Sequence, residues 1–242
     1  MPAEVVREAR ITRVSEAKNG LPRSVDAVLA FLGLILLTPL IALAGLAIAV
    51  TSGWPVLFRQ SRVGQHGRLF ELYKLRTMRA STAGPQITSG NDVRITRLGK
   101  FLRHTKLDEL PTLWNVVRGD MSLVGPRPEV PRFVNLADPV WQKVLSARPG
   151  ITDPVTLVLR NEAALLARID GDTEQYYVQK LQPAKLNGYV AYLGARSWRR
   201  DLGVLLWTIA AVVMPRQASE LSMNQLGKLD DSDPSSKPAS NH

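Results

Sequence analysis

The stretch AVLAFLGLILLTPLIALAGLAIAV, residues 27–50, runs for 24 residues without a charged side chain. A helix of that length reaches across about 30 Å of hydrocarbon. Near its centre Thr38 precedes Pro39, and a proline inside a helix removes a backbone donor and kinks or breaks the helix. A single transmembrane helix is the simplest interpretation. A helix-break-helix that enters and leaves one leaflet is the alternative.

Positive charge flanks this apolar stretch on both sides. The flanking bases are Arg7, Arg10, Arg13, Lys18 and Arg23 before it, and Arg59, Arg62 and Arg68 after it. Because such flanks stay on the cytoplasmic side, both ends favour the same side of the membrane. The sequence therefore favours the re-entrant helix, broken at Thr38 and Pro39, where the threonine hydroxyl can bond a freed carbonyl. Asp26, at the mouth of the stretch, is interpreted as an interfacial acid beside Arg23.

The composition narrows the class of partner. The net charge is +10, with 31 Lys and Arg against 21 Asp and Glu, which suits nucleic acid, anionic lipid or a phosphorylated substrate. The chain has no cysteine and three scattered histidines, which excludes thiolate nucleophiles and disulfides and disfavours a zinc site. Any metal is expected to be a hard ion such as Mg²⁺, held by carboxylates and substrate phosphates.

The rest of the chain predicts a small, mostly helical domain with one β-hairpin, an α+β fold. Residues 55–60 and 69–74 are predicted strands joined by a turn at 64–67. Helices are predicted at 97–104, from Asp108 to about Gly119, and within 161–169 and 173–192, with a short strand near 122–124. Residues 202–214 are a core helix or an interfacial amphipathic helix. The predicted organisation is a basic arm (1–22), the re-entrant membrane helix (23–53), a cytoplasmic domain (54–216) and a disordered polar tail (217–242).

The adjacent carboxylates Asp108 and Glu109 are the main candidates for chemistry. Two acids at a helix start are most often a solvated capping pair. A helix N-terminus also attracts phosphate and keeps a carboxylate ionised. Arg97, Lys100 and Arg103 recur at helix spacing just before them, as a solvated face or as phosphate ligands. A carboxylate that attacks phosphorus needs such cations near the phosphoryl oxygens.

Arg127 stands between Pro126 and Pro128. The prolines stiffen its backbone, so it is either an exposed turn arginine or a preorganised phosphate ligand, since the planar guanidinium matches phosphate oxygens in pairs. Neither a Walker motif nor a G-x-G-x-x-G after a strand is present. A nucleotide must therefore be held in another way.

Three longer stretches resemble a known family. FRQSRVG (58–64) continuing to YKLRTM (73–78), TRLGKFLR (96–103) running into KLDELPTLWNVVRGDMSLVGPRP (106–128), and RPGIT (148–152) together resemble the monotopic phosphoglycosyl transferases, the bacterial sugar transferases that initiate surface-glycan synthesis. The resemblance is dense from about Arg23 to Thr152 and looser to Met214.

The resemblance implies a reaction and roles for single residues. Asp108 would attack the β-phosphate of a UDP-sugar, form a covalent phosphosugar-aspartate and release UMP, and polyprenyl (undecaprenyl) phosphate would then take the phosphosugar. Glu109 would assist with Mg²⁺, held by both Asp108 and Glu109, or with activating the acceptor. The phosphate ligands would be Lys74, Arg103, Arg127 and Arg148.

The resemblance also implies a location, the cytoplasmic face of a bacterial inner membrane, with lipid as a partner and no nucleic acid. Exposed apolar surface around the anchor would also suit a homodimer. Two departures from the family pattern are Thr38 in place of a serine before Pro39, and Asp153 with the residues that follow it. The second departure leaves the donor sugar open. The rival hypotheses are a non-catalytic membrane scaffold and a basic nucleic-acid-binding protein.

Overall fold

The computed structural model describes residues 20–79, 92–160, 162–169 and 171–214. Most of the predicted basic arm (1–22) and all of the predicted polar tail (217–242) therefore lie outside the described residues.

The apolar stretch forms one helix, α1, from Arg23 to Ser52, which continues through Pro39. The prediction of two helices separated at Pro39 is wrong. One proline removes only a single backbone N–H donor, and the other hydrogen bonds of the helix remain. The Thr38 hydroxyl donates to the carbonyl of Leu34 at 2.7 Å. This is not the Ile35 carbonyl that Pro39 leaves without its helical partner.

A two-stranded antiparallel sheet follows α1. Strand β1, Leu57–Val63, pairs with β2, Leu69–Leu75, over seven residues each. The chain reverses through a short 3₁₀ turn at Gln65–Gly67, where Gly67 adopts a positive φ of 76°. Leu72 and Lys74, two residues apart on β2, share one face of the strand; Leu72 is buried in the core, and Lys74 reaches Glu109 in the neighbouring segment that carries the two carboxylates.

The central block consists of short elements in close succession. They are α2 (Arg97–His104), a 3₁₀ helix (Leu107–Thr112), α3 (Leu113–Arg118) and β3 (Ser122–Val124). The α-helix predicted to begin near Asp108 begins only at Leu113, and Asp108 and Glu109 lie in the 3₁₀ helix. Pro111 explains the shift, because it cannot donate to the Leu107 carbonyl as an α-helix begun at Asp108 would require.

The C-terminal half is helical apart from one short strand. Its elements are a 3₁₀ turn (Pro131–Phe133), α4 (Pro139–Leu145), β4 (Gly150–Thr152), α5 (Pro154–Val158), α6 (Glu162–Leu166), α7 (Thr173–Tyr176), a π-helical turn (Tyr177–Leu181), α8 (Gln182–Gly194) and α9 (Trp198–Val213). Strand β4, which the sequence did not predict, pairs in parallel with β3. The described chain is thus a mixed helix and strand fold with one long apolar helix at its N-terminal side.

Helix α1 packs on this body near both of its ends. Ala30 belongs to the main core beside β3 and α9, whereas Ala44 and Ile48 pack with Leu75 of β2 and Leu102 of α2. Most of the large apolar side chains between Val28 and Val50 remain exposed. Among the described residues, α1 is the one helix long and apolar enough to cross a membrane.

Asp26 is buried and not interfacial as predicted. It is 1% exposed and accepts hydrogen bonds from the Ser122 hydroxyl and, at 3.2 Å, from the Leu123 amide. Arg23 instead donates to the carbonyl of Val117 at 2.8 Å. The two side chains therefore fasten the start of α1 to α3 and β3.

Candidate active site

Asp108 and Glu109, the dyad, lie on the first turn of the 3₁₀ helix that packs against β2. Lys106 precedes this helix in a left-handed conformation, and the Glu109 amide donates to its carbonyl at 3.2 Å. The two carboxylates are adjacent in the chain but have different surroundings. Their chemistry therefore differs as well.

Glu109 joins the two most firmly held cations of the site. Its Oε1 accepts from Lys74 Nζ at 2.9 Å and from Arg127 Nη2 at 2.5 Å, and its Oε2 accepts from Arg127 Nη1 at 3.2 Å. Burial alone acts to raise the pKa of Glu109, but Arg127, Lys74 and Lys106 outweigh it and hold that pKa well below its usual value. Glu109 is therefore an ionised anchor for the phosphate-ligand candidates Lys74 and Arg127.

Asp108 is buried, at 7% exposure, and its Oδ1 has no hydrogen-bond partner among the described residues. Burial and the adjacent Glu109 raise its pKa, while Lys74, Lys106 and Arg103 act in the opposite direction. A carboxylate oxygen that is buried, unpaired and faced by cations is suited to nucleophilic attack, because no existing hydrogen bond has to be broken first.

Among the described residues, the cations with the largest effects on the dyad are Lys74, Arg103, Lys106 and Arg127. Against two carboxylates they leave an excess of two positive charges. Burial lowers the pKa of Lys74 to about 8, with Arg127 adding to the effect and Glu109 opposing it. Arg127 has its pKa raised, chiefly by Glu109. This balance favours an anionic ligand with more than one negative charge.

The other two predicted phosphate ligands differ in outcome. Arg103 on α2 donates through Nε to the Thr77 hydroxyl at 2.8 Å and acts electrostatically on Asp108, so the fold brings it to the site. Arg148 lies just before β4, and within the described chain none of its side-chain contacts joins it to the dyad. The structure thus brings together Lys74, Arg103 and Arg127. The role of Arg148, two residues before Gly150 in the wall of the cleft that contains Lys74 and Arg127, stays a prediction.

The predicted Mg²⁺ ligands were Asp108 and Glu109. The described residues contain no group of three or more acidic or histidine side chains that could hold a metal by themselves. Both oxygens of Glu109 are engaged by cations, whereas within the described chain neither oxygen of Asp108 accepts a hydrogen bond. The donor set fits Mg²⁺ only when substrate phosphates supply most of the ligands, which is the usual way that this ion binds.

A group of side chains that was not predicted from the sequence holds the segment next to Arg127, and one of them, Arg62, lines the same cleft as Arg127. Arg62 of β1 donates to the Pro128 carbonyl at 3.0 Å and lies 3.6 Å from Glu129, which also accepts from the Tyr177 hydroxyl. Tyr177 belongs to the π-helical turn. Arg62 stands in the FRQSRVG stretch, whereas no local pattern marks the distant Tyr177.

A separate groove of about 560 Å³ is lined by residues of α4 and α8, including Trp141 and Leu186, and does not contain the dyad. The site chemistry therefore belongs to the narrower cleft lined by Lys74, Glu109 and Arg127.

Residues 17–215 match the family described as bacterial sugar transferases. The chain belongs to this family, so the resemblance seen in the sequence is confirmed.

Three relatives are similar over about half to four fifths of this chain. The UDP-glucose:undecaprenyl-phosphate glucose-1-phosphate transferase of Caulobacter vibrioides is 37% identical over 196 residues, which are 79% of this chain and 69% of that protein. The exopolysaccharide production protein ExoY of Sinorhizobium fredii is 34% identical over 213 residues, 80% of this chain and 86% of that protein. The UDP-glucose:undecaprenyl-phosphate glucose-1-phosphate transferase of Escherichia coli is 43% identical over 119 residues, 48% of this chain and 26% of that protein.

Proposed function

We propose that this protein transfers a phosphosugar from a UDP-sugar to polyprenyl phosphate and so initiates a lipid-linked glycan. The observation that carries the proposal is the unpartnered oxygen of Asp108 next in the chain to Glu109, which anchors the cations Lys74 and Arg127. The relatives named for UDP-glucose and undecaprenyl phosphate support the same substrate classes. The donor sugar itself is left to the assay.

The reaction runs in two displacements at phosphorus. A carboxylate oxygen of Asp108 forms a bond to the β-phosphorus of the UDP-sugar, the bond from that phosphorus to the bridging oxygen breaks, and UMP leaves with the electron pair. A phosphate oxygen of the acceptor then attacks the same phosphorus, the bond to Asp108 breaks, and the carboxylate is regenerated. Excess positive charge around the dyad stabilises the phosphoryl oxygens through both displacements.

In this mechanism Glu109 acts mainly by holding Lys74 and Arg127 in place. Cations that are fixed before the substrate arrives need no reorganisation in the transition state. Asp108 and the substrate phosphates would hold Mg²⁺, which, when bound, neutralises charge on the diphosphate oxygens.

We also propose that α1 is re-entrant and that the body lies on the cytoplasmic face of the membrane. The support is that both parts of α1, around Ala30 and around Ile48, pack on the same body. A helix crossing the bilayer would carry its two ends to opposite sides. The exposed apolar side chains between these contacts then face lipid, which leaves no need for a second copy of the chain to cover them.

Helix α9 contributes a second apolar face to this surface. Trp198, Leu202, Leu206 and Ile209 are exposed at helical spacing along it. The opposite side of α9 packs into the core through Val204 and Ala211. A helix with one apolar face exposed and the opposite face packed against the protein is suited to lie in the membrane interface.

Cysteine labelling tests the topology cleanly, because the chain has no cysteine of its own. Ser24→Cys and Thr51→Cys place one thiol at each end of α1, both at exposed positions. An impermeant maleimide added to intact cells should label neither, and in inverted inner-membrane vesicles it should label both. Labelling of the two thiols from opposite sides would establish a spanning helix and reject the re-entrant one.

UMP release tests the reaction. The purified protein in lipid nanodiscs is given undecaprenyl phosphate, Mg²⁺ and a panel that includes UDP-glucose and UDP-N-acetylgalactosamine. Release with at least one donor, lost in Asp108→Ala, is the expected result. Folded protein that releases no UMP from any donor would favour the membrane scaffold, and binding of DNA that weakens with salt would favour the nucleic-acid hypothesis.

A further inference from the structure

Lys106 occupies a backbone conformation that suits glycine and not lysine. Its φ is 61° and its ψ is 13°, in the left-handed region. Among the described residues that are not glycine, His66 alone shares a positive φ. A side chain with a Cβ is strained there, and lysine lacks the short polar group with which asparagine or aspartate compensates.

The fold requires a left-handed residue at this position but does not require its side chain. Helix α2 ends at His104, and the chain must reverse before the 3₁₀ helix that carries the dyad. The Lys106 amide donates to the Arg103 carbonyl at 3.3 Å, and its carbonyl accepts from the Glu109 amide. These are backbone contacts, and glycine would make them without strain.

The side chain contributes charge at the dyad. The positive charge of Lys106 acts to lower the pKa of both Asp108 and Glu109. Over the described parts of the chain its ammonium forms no hydrogen bond or ion pair, whereas Lys74 and Arg127 are bound to Glu109. Lys106 is half-buried, so its head can reach solvent or a ligand.

We propose that the Lys106 ammonium binds the non-bridging oxygens of the phosphoryl group that moves to and from Asp108. This makes Lys106 a further catalytic residue, and the inference rests on the proposed function. A compact charge on a flexible four-carbon stem can follow the phosphorus as it passes from UMP to Asp108 and then to the acceptor. Lys74 and Arg127, held by Glu109, cannot move in this way.

The test separates charge from backbone strain. Lys106→Gly should raise the melting temperature of the full-length protein in nanodiscs by about 2–4 °C, because it relieves the strained φ. It should also lower kcat/KM for the best UDP-sugar about 100-fold, mostly in kcat, because the contact strengthens in the transition state. Lys106→Arg should restore kcat/KM to within about tenfold of wild type, because it restores the charge.

His66→Gly is the matched control, since it relieves the same strain in the hairpin turn. It should raise the melting temperature and leave kcat/KM unchanged. Lys106→Gly with wild-type kcat/KM would overturn the proposal, and so would Lys106→Arg as inactive as Lys106→Gly. Wild-type protein that releases no UMP overturns the proposed function itself, and this is seen before any variant is compared.

Discussion

Glu109 and Asp108 are expected to affect stability in opposite directions. Glu109→Gln removes the negative charge that holds Lys74 at 2.9 Å and Arg127 at 2.5 Å, and leaves two largely buried cations facing one another. Breaking a buried ion pair on one side costs about 3–5 kcal/mol. At about 2–4 °C per kcal/mol for a chain of this size, the melting temperature should fall by roughly 10 °C.

Asp108→Asn should do the reverse. It removes a buried charge whose Oδ1 has no partner in the described structure, and the gain is about 1 kcal/mol, or roughly 2–4 °C. Because burial and Glu109 raise the pKa of Asp108, the ionised group weakens folding above the unfolded pKa of about 3.9, and the gain should disappear below it.

The assay is thermal unfolding of both variants and wild type in the same nanodiscs at neutral pH, beside UMP release. Both variants should lose activity, so activity cannot explain the difference in sign. Glu109→Gln melting within about 2 °C of wild type would refute the anchoring role of Glu109. A destabilised Asp108→Asn would refute the idea that Asp108 is held in an unfavourable site.

Three further changes test other parts of the structure. Lys74 has a pKa of about 8, so it loses its charge as the pH rises through 8, and wild-type kcat/KM should fall above that pH. The Lys74→Arg variant stays charged and should keep its own kcat/KM up to pH 9. Gly99→Ala would bring a methyl group within 2.0 Å of the Thr77 carbonyl oxygen and should lower the free energy of chemical unfolding by about 3 kcal/mol. The control is Gly203→Ala, whose methyl group meets nothing within 4 Å and which should raise that free energy by about 0.5–1 kcal/mol. Asp26→Ala should expose the start of α1 to limited proteolysis, because two buried donors of β3 lose their acceptor, at a cost of about 2–4 kcal/mol; unchanged cleavage would contradict this fastening role.

Patterns within short stretches of sequence predicted the elements that depend on neighbouring residues, namely the long apolar helix and the first strand pair. The apolar run without charge predicted a helix in the right place but not its continuity through Pro39, and the Gly-Gln-His-Gly turn between two β-rich runs predicted the strand pair. The start of the helix after Asp108 was misjudged because Pro111 favours a 3₁₀ turn. Strand β4 was not predicted because a segment of three residues is too short to show an alternating pattern. The strand exists only through its parallel pairing with β3.

The candidate site was predictable where cations and acids stand close in the sequence. Asp108 and Arg103 are five residues apart, but the bonds of Glu109 to Lys74 and Arg127 span 35 and 18 residues. Only the resemblance to the family connected these positions in advance. Burial of Asp26 could not be read locally, since its partners in β3 lie 96 and 97 residues away.

In the proposed mechanism Asp108 carries the phosphosugar between donor and acceptor. Intact-protein mass spectrometry after acid quenching, with UDP-sugar present and polyprenyl phosphate omitted, tests it most directly. The expected result is one added phosphosugar mass, assigned to Asp108 by peptide mapping, absent from Asp108→Asn and discharged when polyprenyl phosphate is added. Rapid UMP release with no adduct at any quench time, or with the adduct on another residue, would contradict it.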